Sequence, residues 1–387
     1  MKEFKNILSE YKKIDLSKRK AALATVVQVR GSSYRSPGAR MLITDDGKWV
    51  GSISGGCLEG DALRQARQVM SNKKPLTVTY DTREESNQNL GIGLGCNGVI
   101  DVLIEPVEQH DANHAIDLFE RIVTANSTVA LATIFEGNEG NIGAKILCDD
   151  RSRIFSNVVD TRLETLIRED LQILFETQTS QARKYNVDQT ETTAFIELIQ
   201  PSVSLIIFGG GFDARPVCQL AKSLGWNVTV TDECVAHIAP LFFPTADNLS
   251  LCQRSFIDRD FDLTPYTACV LMSHNYEYDR DVLRKLVNTP TPYIGILGPR
   301  KRFEKMLAAF AEEGIQLSED HHHRIHSPIG LDIGAETPDE IAISIIAEIQ
   351  SRFANRSGAF LKHRTEPIHQ RDTLSDQVFK QVISILS

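Results

Sequence analysis

Residues 31–60, GSSYRSPGARMLITDDGKWVGSISGGCLEG, crowd together two arginines, Arg35 and Arg40, and a single thiol, Cys57. Glycine and small polar residues loosen the backbone around them. Guanidinium groups and free backbone N–H groups bind oxyanions, whereas a thiolate is a soft metal ligand or a sulfur relay. Cys57 follows Gly55 and Gly56 at a turn that enters a helix, a position that favours the thiolate. Glu59, two residues on, is a candidate proton carrier or cap. A second thiol, Cys96, stands in the sequence GLGCNG.

A different constellation lies downstream. Gly209, Gly211 and Ala214 spell GxGxxA between an apolar run and a helical one, and Asp232 closes the next apolar run. In dinucleotide folds such glycines let the backbone approach a pyrophosphate, and the acid binds a ribose hydroxyl. Two readings stay open: a phosphate-bearing ligand such as NAD(P), or a tight strand-to-helix turn that needs glycine. His274, Asn275 and Asp279 follow the next strong strand, and Arg300, Lys301 and Arg302 the one after. All are expected to face the same crevice as Gly211, where the basic trio suits an anion. His321, His322, His323 and His326 invite a metal reading, but consecutive histidines converge on one ion only through a contorted backbone. SPIGLDIGAE, with Gly330 and Gly334 flanking Asp332, is a further candidate binding loop.

The elements that must position these groups follow from length and pattern. A chain of 387 residues implies two or three domains. A net charge of −9 argues against a nucleic-acid partner, which would favour a basic face. The first twenty residues are charged throughout, and no apolar run approaches bilayer length, so no membrane role is expected. Seven scattered cysteines without a CxxC pair suggest a reducing, cytoplasmic setting.

The first 200 residues contain an internal duplication, half-repeats of about 20–106 and 127–201. ALAT at 22–25 recurs at 130–133, and GARMLITDDGKWVGSI at 38–53 aligns with GAKILCDDRSRIFSNV at 143–158. VLIEP at 102–106 then matches ELIQP at 197–201. Each copy reads as strand, loop, strand, turn, strand, helix and a final strand, with ATVVQV as a half-buried strand. The second copy keeps the apolar skeleton but lacks SSYRSPG, GGCLEG and GLGCNG. Those segments are therefore read as functional. Residues 202–387 alternate apolar strands with helices, which implies a Rossmann-like parallel sheet. Thr337, Pro338 and Glu340 form a capping box that starts a late helix. The fold class is thus α/β, a duplicated domain over 1–201 followed by a Rossmann-like domain over 202–387.

GSSYRSPGARMLI, GSISGGCLEG, CNGVIDVLIEP, GGGFDARP, PYIGILGPRKR and PIGLDIGAETPDEIAISIIAEI, in that order, closely resemble the XdhC/CoxI family. These are maturation factors of xanthine and carbon monoxide dehydrogenases. The resemblance implies a cytoplasmic chaperone that binds molybdenum cofactor while a terminal sulfur is added, then delivers it to the apo-hydroxylase. It implies a maturation factor rather than an enzyme with its own turnover, and as partners a xanthine dehydrogenase-type apo-enzyme and a cysteine desulfurase-type sulfur donor. A homodimer is expected. The family's turn often reads CGAGH, with Cys and His where Gly209 and Phe212 stand here, while Cys96-Asn97-Gly98 keeps the thiol of the usual Cys-Gly-Gly.

Molybdopterin carries a phosphate, or a whole nucleotide in its dinucleotide form, which guanidinium groups and hydroxyls can hold, and a sulfur-bound metal, for which a thiolate is the natural ligand. Candidate cofactor contacts are Ser32, Ser33, Arg35, Arg40, Gly55, Gly56, Cys57, Glu59 and Cys96. In the second domain they are Gly209, Gly211, Ala214, Asp232, His274, Arg300 and Arg302. Cys57 is the candidate molybdenum ligand. The alternatives are an NAD(P)-dependent oxidoreductase, which the absence of a Tyr-xxx-Lys pair disfavours, and an adaptor that holds no cofactor.

Overall fold

The computed structural model describes residues 1–82, 98–108, 115–150, 152–365 and 378–382. They form two compact units, one of Glu3–Pro201 with a returning strand, the other beginning at Ser202. The first unit opens with α1 (Lys2–Tyr11), β1 (Ala21–Gly31), β2 (Arg40–Thr44), β3 (Trp49–Gly51), α2 (Glu59–Asn72), β4 (Leu76–Asp81) and β5 (Gly98–Val107). After α3 (Ala115–Thr124) come β6 (Val129–Glu136), β7 (Lys145–Cys148), β8 (Arg153–Ser156), α4 (Thr161–Thr177), β9 (Gln181–Val187) and β10 (Thr190–Ile199).

Its two antiparallel sheets share one design. The first runs β3-β2-β1-β5-β4, and the second carries β8-β7-β6-β10-β9 in the same order. Each copy holds one strand more than the sequence pattern suggested, because β4 and β9 follow their helices before the final strand. Leu23 pairs with Glu105 and Leu131 with Glu197, so these two glutamates are counterparts. VLIEP therefore corresponds to AFIEL, three residues before the ELIQP that composition alone had matched.

Helix α2 covers the outer face of the first sheet, where Ala62, Ala66 and Val69 meet Ala22, Ala24 and Val26. Helix α4 covers the second sheet in the same way through Leu163, Ile167 and Leu171. The inner faces meet through Leu23, Leu42, Leu131, Leu147 and Ile199, closed by α1 and α3. Strand β1 is accordingly buried on both faces for most of its length, not half buried as its pattern predicted. Alternation is lost because each face has an apolar cover.

The second unit contains β11 (Ser204–Phe208), α5 (Ala214–Ser223), β12 (Asn227–Asp232), β13 (Asn248–Leu251), α6 (Ile257–Asp260), β14 (Thr267–Leu271) and α7 (Tyr276–Leu286). There follow β15 (Tyr293–Ile296), α8 (Arg300–Glu312), α9 (Glu319–Arg324), β16 (Ile325–His326) and α10 (Pro338–Phe353). The sheet order is β13-β12-β11-β14-β15-β16 with every pair parallel, the expected Rossmann-like arrangement. Helices α5 and α10 cover one face, α7 and α8 the other. The Thr337 box is present: its side chain accepts from the Glu340 amide and Glu340 answers at the Thr337 amide. The last described segment, β17 (Val378–Val382), pairs in parallel with β9 and so belongs with the first unit.

Candidate functional site

The loop that joins β3 to α2 is built around one carboxylate. Glu59 is buried, and its Oε1 accepts from the Ser54 amide at 2.9 Å and from Ser52 Oγ at 3.0 Å. Ser54 Oγ donates to the other oxygen and itself accepts from the amides of Gly56 (3.1 Å) and Leu58 (3.0 Å). Burial pushes the Glu59 carboxyl upward, but the donors from Ser54 and Ser52 outweigh it and hold it below the usual range. A carboxylate committed in this way holds the loop in shape.

Within the braced loop Gly55 and Gly56 are exposed, and Gly56 has φ of +113° with open space where a Cβ would stand. Cys57 is half buried and rests its side on the apolar cluster beneath α2. The exposed Tyr34 ring lies against Gly55, which brings the SSYRSPG segment beside SISGGC. Exposed Ser32 and half-buried Ser33 begin that segment. Cys96 lies outside the described residues.

The two arginines do something other than wait for an anion. Arg40 is only 3% exposed; its guanidinium pairs with Glu197 of the second sheet, donates to the Gly38 carbonyl at 2.6 Å and lies over the Phe4 ring at 4.6 Å. Its counterpart Lys145 pairs with Glu105 of the first sheet and donates to the Gly143 carbonyl at 2.8 Å. GAR and GAK thus repeat one device, a cation reaching across to the glutamate of the other half. Desolvated ions persist only when paired and hydrogen-bonded, and both are. Arg35 donates to both oxygens of Glu3 at 2.9 Å. Both arginines of the opening stretch are thus engaged within the chain, Arg40 in the interior and Arg35 at its edge.

In the second unit Gly209 has φ of +124°, and a Cβ there would lie 2.5 Å from the Met272 carbonyl oxygen. The turn thus brings β11 against the end of β14, at the point where strand order reverses. His274, also at positive φ, is 65% exposed with Nε2 2.8 Å from Asp213 Oδ2, so it does share the crevice of Gly211. Ala214 is fully buried at the start of α5. Asp279 is 1% exposed and takes Ser273 Oγ at 2.6 Å and Arg302 Nη2 at 2.6 Å. Burial lifts its carboxyl above the usual range, against those two donors. Arg302 thus gives one of its donors to Asp279. Arg300 and Lys301 are exposed at the start of α8. Asp232 accepts from the Gly210 amide at 2.9 Å and from the Cys234 amide at 2.8 Å.

The histidine run is structural. His321 completes a capping box with Ser318, His323 meets Arg352 at 3.2 Å, and His326 meets Glu348 at 3.1 Å. No group of three or more metal-ligating side chains occurs among the described residues. Nor is any helix there long and apolar enough to cross a membrane.

Residues 16–81 match the XdhC and CoxI family and residues 205–349 match the XdhC Rossmann domain. A Bacillus subtilis protein described as a probable subunit of xanthine dehydrogenase is 32% identical over 329 residues, covering 85% of this chain and 92% of its own. The chain belongs to the XdhC and CoxI family. The molybdenum cofactor insertion chaperone PaoD of Escherichia coli is 24% identical over 336 residues, 87% of this chain and 84% of its own. A solved structure described as a xanthine dehydrogenase from Bacillus halodurans superposes with a TM-score of 0.72 at 29% identity, covering 91% of this chain and 97% of that one.

Ser52, Ser54, Tyr34, Asp213 and His237 matter to these sites and escaped the sequence reading. Only Asp213 left a readable sign, an acid placed where a dinucleotide turn would meet phosphate. The serines act through geometry that spacing does not encode.

Proposed function

We propose that this XdhC-family chain is a maturation factor for molybdenum hydroxylases of the xanthine dehydrogenase type, holding molybdenum cofactor for sulfuration and insertion. The observation that carries the reading is the braced, glycine-opened loop that presents Cys57, on the half-repeat that alone keeps the motif. The family match and the roles described for the relatives support it. Cys57 is the soft ligand for the cargo's molybdenum or the relay of its sulfur. The amide of Gly55 and the hydroxyls of Ser32 and Ser33 supply donors for its polar groups. In the second unit Arg300, exposed beside Lys301 at the start of α8, is a cation for an anionic group.

The sulfur comes from a cysteine desulfurase-type donor, the client is the apo-hydroxylase, and the protein works as a cytoplasmic homodimer. The test is cofactor loading of the purified chain, followed by transfer to apo-enzyme. Wild type and a Cys218→Ala control are expected to retain cofactor, and Cys57→Ala to lose at least about tenfold in affinity, roughly 1.4 kcal/mol. Equal retention by all three rejects Cys57, and no retention by any rejects the cargo.

A further inference from the structure

The glycine turn of the second unit has the sequence of a phosphate cradle, and its geometry shows what the cradle holds. A ribose-binding acid needs open lone pairs, and a pyrophosphate needs the turn's amides and the first turn of the helix. In this chain the Gly210 amide and the Asp232 carboxylate are engaged with each other and with the loop after β12. The Gly210 amide is taken by Asp232 Oδ2 at 2.9 Å, and His237 Nδ1 lies 3.0 Å from the same oxygen. The remaining Asp232 oxygen is held by the Cys234 amide at 2.8 Å. The main chain after β12 lies across the turn: a Cβ at Gly210 would be 2.5 Å from the His237 carbonyl oxygen.

The helix start carries an acid, although that acid accepts none of the helix's amides. Asp213 immediately precedes α5, and its carboxylate is the acidic group at that positive end. One oxygen faces His274 Nε2 at 2.8 Å, and the other is buried with no hydrogen-bond partner. Arg215, in the first turn, lies over the rings of Phe242 at 4.1 Å and Phe212 at 5.3 Å. A phosphate entering here would meet a fixed negative charge where dinucleotide folds offer neutral amides.

We infer that this Rossmann turn is closed to nicotinamide dinucleotides: Asp213 sets its carboxylate beside Gly211, where a phosphate would have to lie, and Asp232 is tied to its own loop. The inference is independent of the cargo proposed above, and it sets aside the oxidoreductase alternative.

Isothermal titration calorimetry on the full chain tests it, with NAD+, NADP+ and inorganic pyrophosphate as separate probes. Wild type is expected to give no saturable binding of any probe up to ~1 mM, about −4 kcal/mol or weaker. Asp213→Asn is expected to gain pyrophosphate binding at least about tenfold tighter, while NAD+ stays unbound because Asp232 remains engaged. Micromolar binding of NAD+ or NADP+ by wild type overturns the inference. So does an Asp213→Asn variant, folded by circular dichroism, that takes up no pyrophosphate. Asp213→Ser replaces it in the titration if the asparagine variant does not fold.

Discussion

At the scale of single residues, Glu59 shows how a group flagged for chemistry can serve it at one remove. Its carboxylate gathers the donors that shape the loop around Cys57. Because its folded pKa is depressed, the native state binds fewer protons than the unfolded chain in mild acid. Its stabilisation is whole above the usual glutamate range and is lost as pH falls through the depressed value. Glu59→Gln is expected to cost about 1.5–3 kcal/mol at neutral pH and to flatten this acid limb, as urea titrations at several pH values would show. The same variant should quicken alkylation of Cys57 by iodoacetamide and leave exposed Cys234 unchanged, read by peptide mass mapping.

Among the elements, the crossed pairs between sheets explain why arginine in a glycine-rich loop misled a reading from sequence. Residue type marked Arg40 as an anion binder, but its partner Glu197 lies in the other copy, where no local pattern announces it. Arg40→Ala leaves Glu197 buried and unpaired and is expected to cost about 3–5 kcal/mol in chemical denaturation. Replacing both by apolar residues, Arg40→Met with Glu197→Leu, should recover most of that loss, a coupling a double-mutant cycle measures. What was legible is what local pattern encodes: the parallel sheet, the helix after Cys57, the Thr337 cap and the glycine turn. What escaped needed the third dimension. The β5 register, the doubly covered β1 and the pairing of Arg40 with Glu197 arise from segments far apart in sequence, and the bonds of Asp232 from the way its own loop turns back.

For the molecule as a whole, each half-repeat of the first unit is half of a core. The inner faces bury Leu23 and Leu42 against Leu131 and Leu147, and each half carries one cation and one glutamate answered by the other. A fragment ending at Ala125 would expose that face and strand Arg40 and Glu105. It is expected to be unfolded or aggregated by circular dichroism and sedimentation, whereas the full chain folds.

The backbone carbonyl of Arg40 also accepts the Ser52 amide at 3.0 Å, at the first step of the loop that ends in Cys57. The copy stripped of reactive motifs therefore acts as the anvil for the copy that kept them. A change at Glu197, 157 positions down the chain from Arg40, would be felt as a drift in thiol reactivity, and drift at those two positions has to be concerted.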